Sequence, residues 1–262
     1  MFVNKLMANA ANGVLTTAVA IKTIPSAEVI LLAQAAGYDT VFVDLEHSTL
    51  SISDAAALCT AAILADITPF VRVPSQCGSG FIQRILDSGA MGVVYPHINT
   101  AEEARNAVAM TKFPPHGTRS LTAALPHFQY RRVAAKDVIG QVNAVGSTVF
   151  VMIETAEALK NAKEIAAVEG VDVLLLGAND LSLSLGILGE WDHWKFSEAL
   201  KMVAEACQQA KKVFGISGIY ARPDIVKHAV ENLNARYVLG HSDMGLMAVA
   251  MKKNAEMLNG LK

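Results

Sequence analysis

With 262 residues, 52% of them hydrophobic and only 18% charged, the chain has apolar material for one large core or two small ones. A formal net charge of −2, with Lys and Arg scattered, lacks the basic face of a nucleic-acid binder, and the apolar runs are broken by Lys, Asp or Gly well short of a bilayer span. Cys59, Cys77 and Cys207 lie far apart without C-x-x-C or Cys/His spacing, and the first residues show no basic, apolar and cleavage pattern. The expectation is a cytoplasmic protein with reduced thiols and neither a nucleic-acid nor a membrane partner.

In chain order, short β-branched runs alternate with helical patterns. The first strand is predicted over Val14 to Ala20; Pro25-Ser26 then opens an apolar-periodic run that Gly37 closes. The second, Thr40 to Asp44, leads directly into Glu46 and His47. The third, Thr68 to Val73, holds Arg72 near its end, and the fourth, Gly92 to Pro96, is followed by His97 and Asn99. Thr100 with Glu103 forms a capping box for the next helix. A long connection from about Thr111 to Ser147 carries "FPPHGTRSL" and "PHFQYRR", and its length suggests a functional loop. Strand five, Thr148 to Ile153, ends at Glu154, and strand six, Asp172 to Leu176, leads to Asn179 and Asp180. The segment "WDHWKF" follows, read as packing in preference to a lid. Strands seven, Val213 to Ser217, and eight, Arg236 to Leu239, complete the series, with His241, Ser242 and Asp243 after the last. Eight alternating units with no linker between them predict one α/β domain over residues 1–262, a (β/α)8 TIM barrel.

A barrel keeps its chemistry at the C-terminal ends of its strands, which is where these charges fall. Glu154 and Asp180, on neighbouring strands, would aim two carboxylates into one mouth; each alone could be a helix cap, but the pair suits Mg²⁺ or Mn²⁺ with remaining positions left to water or substrate. Arg72 offers a fork for a carboxylate or enolate oxygen, or for a structural acid. His47 is a candidate general base or acid, tuned by Asp44 or another nearby acid. Together these suggest enolate chemistry on a 2-oxo acid. A Schiff-base route would need a lysine in the mouth, and only Lys22, just past strand one, is so placed.

The segments "FVDLEHSTLS", "PFVRVP", "ILDSGAMGVVYPHINTAEEAR", "FPPHGTRSL", "VMIETAEALKNAKEIAAVEGVDVLLLGANDLSLSLGI" and "YVLGHSDMGLM" resemble, in order and spacing, the HpcH/HpaI class II pyruvate aldolases, a family that includes macrophomate synthase-like enzymes and lies near the citrate lyase β-subunits. The resemblance implies Glu154 and Asp180 as metal ligands for Mg²⁺, Mn²⁺ or Co²⁺, and Arg72 on the keto-acid oxygens. It implies His47 as acid/base, oriented by an acid such as Asp44 or Asp87, and backbone groups at Ala178, Asn179 and Asp180 as receivers of the substrate carboxylate. Arg119, in the Gly117-Thr118-Arg119 loop, becomes a candidate for shaping the pocket. Where some members carry Gln and Pro or Thr, this chain has Met152 and Ala178. The implied enzyme is a carbon–carbon lyase that reversibly cleaves a 4-hydroxy-2-oxo acid to pyruvate and an aldehyde. It would assemble as a hexamer, a trimer of dimers, with the apolar tail "MGLMAVAMKKNAEML" exchanged between neighbours. Alternatives are oxaloacetate decarboxylation or macrophomate synthase-like capture of the same enolate, a CoA-ester lyase, and a non-catalytic 2-oxo acid binder.

Overall fold

Eight short runs of β-branched and aromatic residues form one closed parallel barrel in the computed structural model, which describes residues 2–122 and 124–261. The strands are β1 (Thr16–Ile21), β2 (Thr40–Asp44), β3 (Thr68–Arg72), β4 (Gly92–Tyr95), β5 (Thr148–Ile153), β6 (Val173–Gly177), β7 (Val213–Ser217) and β8 (Ala235–Ser242). Each pairs with its chain neighbour, and β8 returns to β1 with Thr16 opposite Tyr237, so no edge is left open. β1 starts later than expected, and Val14 is exposed. β8 runs longer at both ends, because Ala235 already pairs with Phe214 of β7 and the pairing with β1 continues to Ser242 opposite Ala20.

Helix α1 (Lys5–Ala11) precedes the barrel. The crossovers then carry α2 (Ala27–Ala35), α3 (Ile52–Leu64), α4 (Ser79–Asp87), α5 (Ala101–Thr111) and α6 (Ala135–Val145). They continue with α7 (Ala156–Lys160), α8 (Ala162–Ala166), α9 (Ala178–Ser184), α10 (Trp194–Ala210) and α11 (Pro223–Asn232), and α12 (Asp243–Asn259) ends the chain. The capping box of α5 forms as the sequence predicts: Thr100 accepts from the Glu103 amide while Glu103 accepts from the Thr100 amide. No helix among the described residues is long and apolar enough to cross a membrane.

Strand periodicity decides what reaches the mouth. Val41, Val43, Val71, Val149, Val151 and Ile153 face outward into the layer shared with the helices. Their alternates Ala18, Ala20, Phe42, Phe70, Phe150 and Met152 fill the barrel, where Phe70, Phe150 and Tyr237 meet with ring centroids 4.7 to 6.2 Å apart. Continuing each inward row by two residues gives Lys22 after Ala20, Asp44 after Phe42, Arg72 after Phe70 and Glu154 after Met152. The charges at the mouth are therefore the polar ends of the rows that build the core.

The long connection does not lie at that mouth. It leaves α5, not a strand, so it starts at the N-terminal end of the barrel. There Asn143 exchanges hydrogen bonds with the Phe113 backbone, His127 Nε2 lies 3.2 Å from the Ala90 carbonyl, and the Phe2 ring packs edge-on against His127 and Phe128. It also folds a helix of its own, α6, where the sequence suggested a loop.

Candidate active site

Asp44, 1% exposed, is the hub of the mouth. Arg72 grips it with Nε at 2.9 Å and a terminal nitrogen at 2.6 Å, Lys22 Nζ stands 3.1 Å away, and the Glu46 and His47 amides donate to Oδ1. Burial works against the charge of Asp44, but the bond and charge of Arg72, the charge of Lys22 and the His47 amide outweigh it and hold the carboxyl at about 2. The second terminal nitrogen of Arg72 reaches Glu46 at 3.0 Å.

His47 lines the cleft, with its side chain 60% exposed. Its ring is not oriented by Asp44, whose oxygens are occupied by Arg72, Lys22 and backbone amides; the nearest carboxylate is Glu46, 3.8 Å from Nε2. Asp87 does not reach it either. That residue ends α4, five positions before β4 begins at the opposite face, and its carboxylate binds Arg119 at 2.6 Å. Arg119 corrects the pocket expectation as well: it is 4% exposed, stacks its guanidinium 4.4 Å from the Phe113 ring centroid, and does not line the cleft. Buried Arg119 and partly exposed Asp87 form a clamp at the barrel's far end.

Glu154, 2% exposed, accepts a hydrogen bond from the His97 amide at 3.0 Å and faces His97 Nδ1 at 3.6 Å. His97 in turn places Nε2 3.6 Å from Glu46. Burial pushes the Glu154 carboxyl up to about 7; repulsion from Asp180 adds to this, and the His97 and Arg72 charges oppose it. Gly177 permits the arrangement, since a Cβ there would sit 2.5 Å from Glu154 Oε1. Among the described residues no Lys or Arg forms a salt bridge with Glu154 or Asp180, and no third His, Cys, Asp or Glu completes a protein-only metal cluster. A buried carboxylate that shares the cleft with a second, Asp180, fits a hard divalent cation that takes its other ligands from water and substrate.

The cleft encloses about 130 Å³ and is lined by Asp44, His47, Arg72, Glu154, Ala178, Asn179 and Asp180, all singled out from the sequence. Lys22, Met152, Ser217 and Tyr220 also line it. The inward row of β1 could have supplied Lys22 as more than a Schiff-base candidate; Tyr220, three residues past β7, carries no such periodic signal. Glu46 was visible in the same motif as His47 but had no role assigned. A larger cavity, about 470 Å³, opens among Phe2, Met91, His127 and Phe128 at the other end, away from the carboxylate pair. In "WDHWKF", Trp191 packs edge-on against buried Phe196 and Asp192 receives Arg222, while Trp194 is exposed.

Residues 24–244 match the HpcH/HpaI aldolase/citrate lyase family. The chain is 45% identical to the 4-hydroxy-4-methyl-2-oxoglutarate aldolase of Hapsidospora irregularis over 94% of its own length and 91% of the relative's. It is 44% identical to the enzyme of the same name from Chaetomium globosum, covering 94% and 92%. Among solved structures, the HpcH/HpaI aldolase of Desulfitobacterium hafniense DCB-2 superposes with a TM-score of 0.90 at 27% identity, over 98% of this chain and 96% of that one. The barrel, its mouth and these similarities agree: the chain belongs to the HpcH/HpaI aldolase/citrate lyase family and is an aldolase, a carbon–carbon lyase.

Proposed function

We propose that the enzyme cleaves a 4-hydroxy-2-oxo acid to pyruvate and a second carbonyl compound through a pyruvate enolate, with Glu154 and Asp180 holding a divalent ion. The observation that supports it best is the convergence of Arg72, with its Asp44 and Glu46 partners, and the Glu154–Asp180 pair on one cleft. The ion would supply Lewis-acid stabilisation to the keto-acid oxygens when bound, in the form of Mg²⁺, Mn²⁺ or Co²⁺.

The chain's own residues do the rest. The backbone opening α9 at Ala178, Asn179 and Asp180 receives the substrate carboxylate. His47 takes the proton of the 4-hydroxyl; those electrons form the new carbonyl at C4, the C3–C4 bond breaks, and its pair becomes the enolate. Arg72, held rigid by Asp44 and Glu46, meets the charge growing on that enolate oxygen. Protonation at C3 releases pyruvate. For 4-hydroxy-4-methyl-2-oxoglutarate, the substrate in the names of the two fungal relatives, the carbonyl product is a second pyruvate, a keto acid in place of the aldehyde expected from sequence.

The test is pyruvate release from 4-hydroxy-4-methyl-2-oxoglutarate with added Mg²⁺ or Mn²⁺ and after thorough chelation; release that survives chelation would sink the metal reading. His47, open at the cleft edge, also separates a second reading, oxaloacetate decarboxylation, which has no hydroxyl proton to remove. His47→Ala should lose aldol cleavage on the order of 10²-fold or more while retaining much of any decarboxylase activity. The exposed Met244, Leu246, Val249, Met251 and Met257 of α12 support its exchange between subunits of a hexamer, checked by light scattering. The unpaired state of Cys59, Cys77 and Cys207 supports a cytoplasmic setting.

A further inference from the structure

Lys22 ends the inward row of β1, and its backbone is fixed with unusual thoroughness. The amides of Lys22, Thr23 and Ile24 all donate to the Asp243 carboxylate, at 3.1, 2.9 and 2.9 Å. Asp243 is 4% exposed and opens α12, so the loop after β1 is tied to the end of β8. The Lys22 ammonium has three donors, and Asp44 Oδ2 engages it at 3.1 Å. Asp44 scarcely needs this contact, because Arg72 already spans both its oxygens and two amides add to Oδ1. The lysine side chain keeps 29% of its surface exposed and lines the cleft that Leu239 and Tyr220 also line. Apart from Arg72, it is the cleft's one Lys or Arg among the described residues. Tyr220 is held by stacking on His241, with centroids 4.5 Å apart and planes 8° from parallel, and its half-exposed ring also lines the cleft.

We propose that Lys22, with Tyr220 on the same cleft, forms a second anion subsite that receives a carboxylate carried on C4 of the substrate, so that the enzyme selects 4-hydroxy-2-oxo diacids whose carbonyl product is itself a 2-oxo acid. This rests on the aldol reading above. In that reading Arg72 and the ion serve the end of the substrate that becomes the enolate. A carboxylate at the C4 end then requires its own donor, and a preorganised ammonium with donors to spare, in a cleft that a phenol also lines, has the matching chemistry. A ligand carboxylate bridging Lys22 and Tyr220 leaves His47 free to work on the hydroxyl of the same carbon.

The experiment compares 4-hydroxy-4-methyl-2-oxoglutarate with 4-hydroxy-4-methyl-2-oxopentanoate, in which a methyl replaces the distal carboxylate. Wild type should favour the diacid, and Lys22→Met should reduce that preference in kcat/KM by roughly 10- to 100-fold, the worth of a hydrogen bond to a charged group. Lys22→Arg should restore much of the preference, and Tyr220→Phe should reduce it by a smaller factor. Equal losses on both substrates in Lys22→Met would show that Lys22 acts only through Asp44 and Arg72, and would overturn the subsite. A reduced substrate adduct on Lys22 after borohydride would overturn it too, by making the lysine a Schiff-base nucleophile. Exchange of the pyruvate methyl protons with solvent deuterium reads enolate formation without any acceptor. Exchange with no diacid preference would sink the subsite alone, whereas no metal-dependent exchange would sink the aldol reading and the subsite with it.

Discussion

The two ends of the barrel bury similar side chains to different effect. At the N-terminal end Arg119 binds Asp87, stacks on Phe113 and lies near His127, inside a plug built by α6 and the segment before it. At the C-terminal end Arg72 binds Asp44, but Glu46, Glu154 and Asp180 crowd the same mouth, and Glu154 has no Lys or Arg of its own among the described residues. One end balances its charges within the chain; the other leaves a carboxylate excess for something that binds. A buried ion pair by itself is weak evidence of function, and the imbalance around it is stronger.

The largest effect should follow from breaking the pair at the mouth. Arg72→Ala leaves Asp44 almost fully buried with only Lys22 and amides, so a loss of about 3 kcal/mol in unfolding free energy is expected, the low end for a broken buried pair. Turnover should fall by on the order of 10³-fold, because the enolate oxygen loses its donor. Denaturant titration and pyruvate release check the two numbers separately; normal activity in a folded variant would remove Arg72 from the chemistry.

Glu154→Gln should separate activity from stability. Turnover should drop on the order of 10²-fold or more as the ion loses a charged ligand. Stability moves the other way. The folded carboxyl is raised from its ordinary 4.5 to about 7, so its favourable contribution is complete below pH 4.5 and is lost as pH rises through about 7. In the presence of chelator the Gln variant should be more stable than wild type at pH 8, by up to about 3 kcal/mol, and the gap should close toward pH 4.5. A variant less stable than wild type at pH 8 would mean that Glu154 is structural in the manner of Arg119.

At the other end the expectation reverses. Arg119→Met should cost about 2 kcal/mol of stability, discounted because Asp87 is partly exposed, while the folded fraction keeps its kcat/KM. Read from sequence, Arg119 belonged to the pocket; a changed substrate preference at unchanged melting temperature would restore that view.

This contrast also marks what the chain made legible. The barrel could be read because each strand alternates so strictly that Phe42, Phe70 and Phe150 fall inward, and adding two or four residues reaches Asp44, Arg72 and Glu154. Asp87 and Arg119 came to the mouth through the resemblance alone, and no strand's inward row leads to either: Asp87 ends α4 and Arg119 follows α5, on segments that run toward the N-terminal end of the barrel. His97 between Glu46 and Glu154 depends on side-chain reach between strands, which no local pattern encodes.

The smallest effect belongs to His127, whose titration should be felt in stability and not in catalysis. It is 4% exposed, hydrogen-bonded through Nε2 to the Ala90 carbonyl, with Nδ1 buried and unpartnered among the described residues. Burial chiefly, with some repulsion from Arg119, lowers its pKa from the ordinary 6.5 to about 4, against the pull of the Ala90 carbonyl. A base whose folded pKa is depressed stabilises the fold fully above 6.5, and that contribution is lost as pH falls from 6.5 toward 4. Between pH 7 and pH 5 the loss attributable to this residue should be about 1–2 kcal/mol. His127→Gln keeps a polar group facing Ala90 but cannot take up the proton, so its unfolding free energy should change less over that interval than wild type does. The kcat/KM profile of the two proteins should coincide, because His127 lies with Phe2 and Phe128 at the end of the barrel that the cleft does not reach. A variant whose stability keeps the full wild-type slope would place the titrating group elsewhere and leave the plug's charge balance to Arg119 and Asp87 alone.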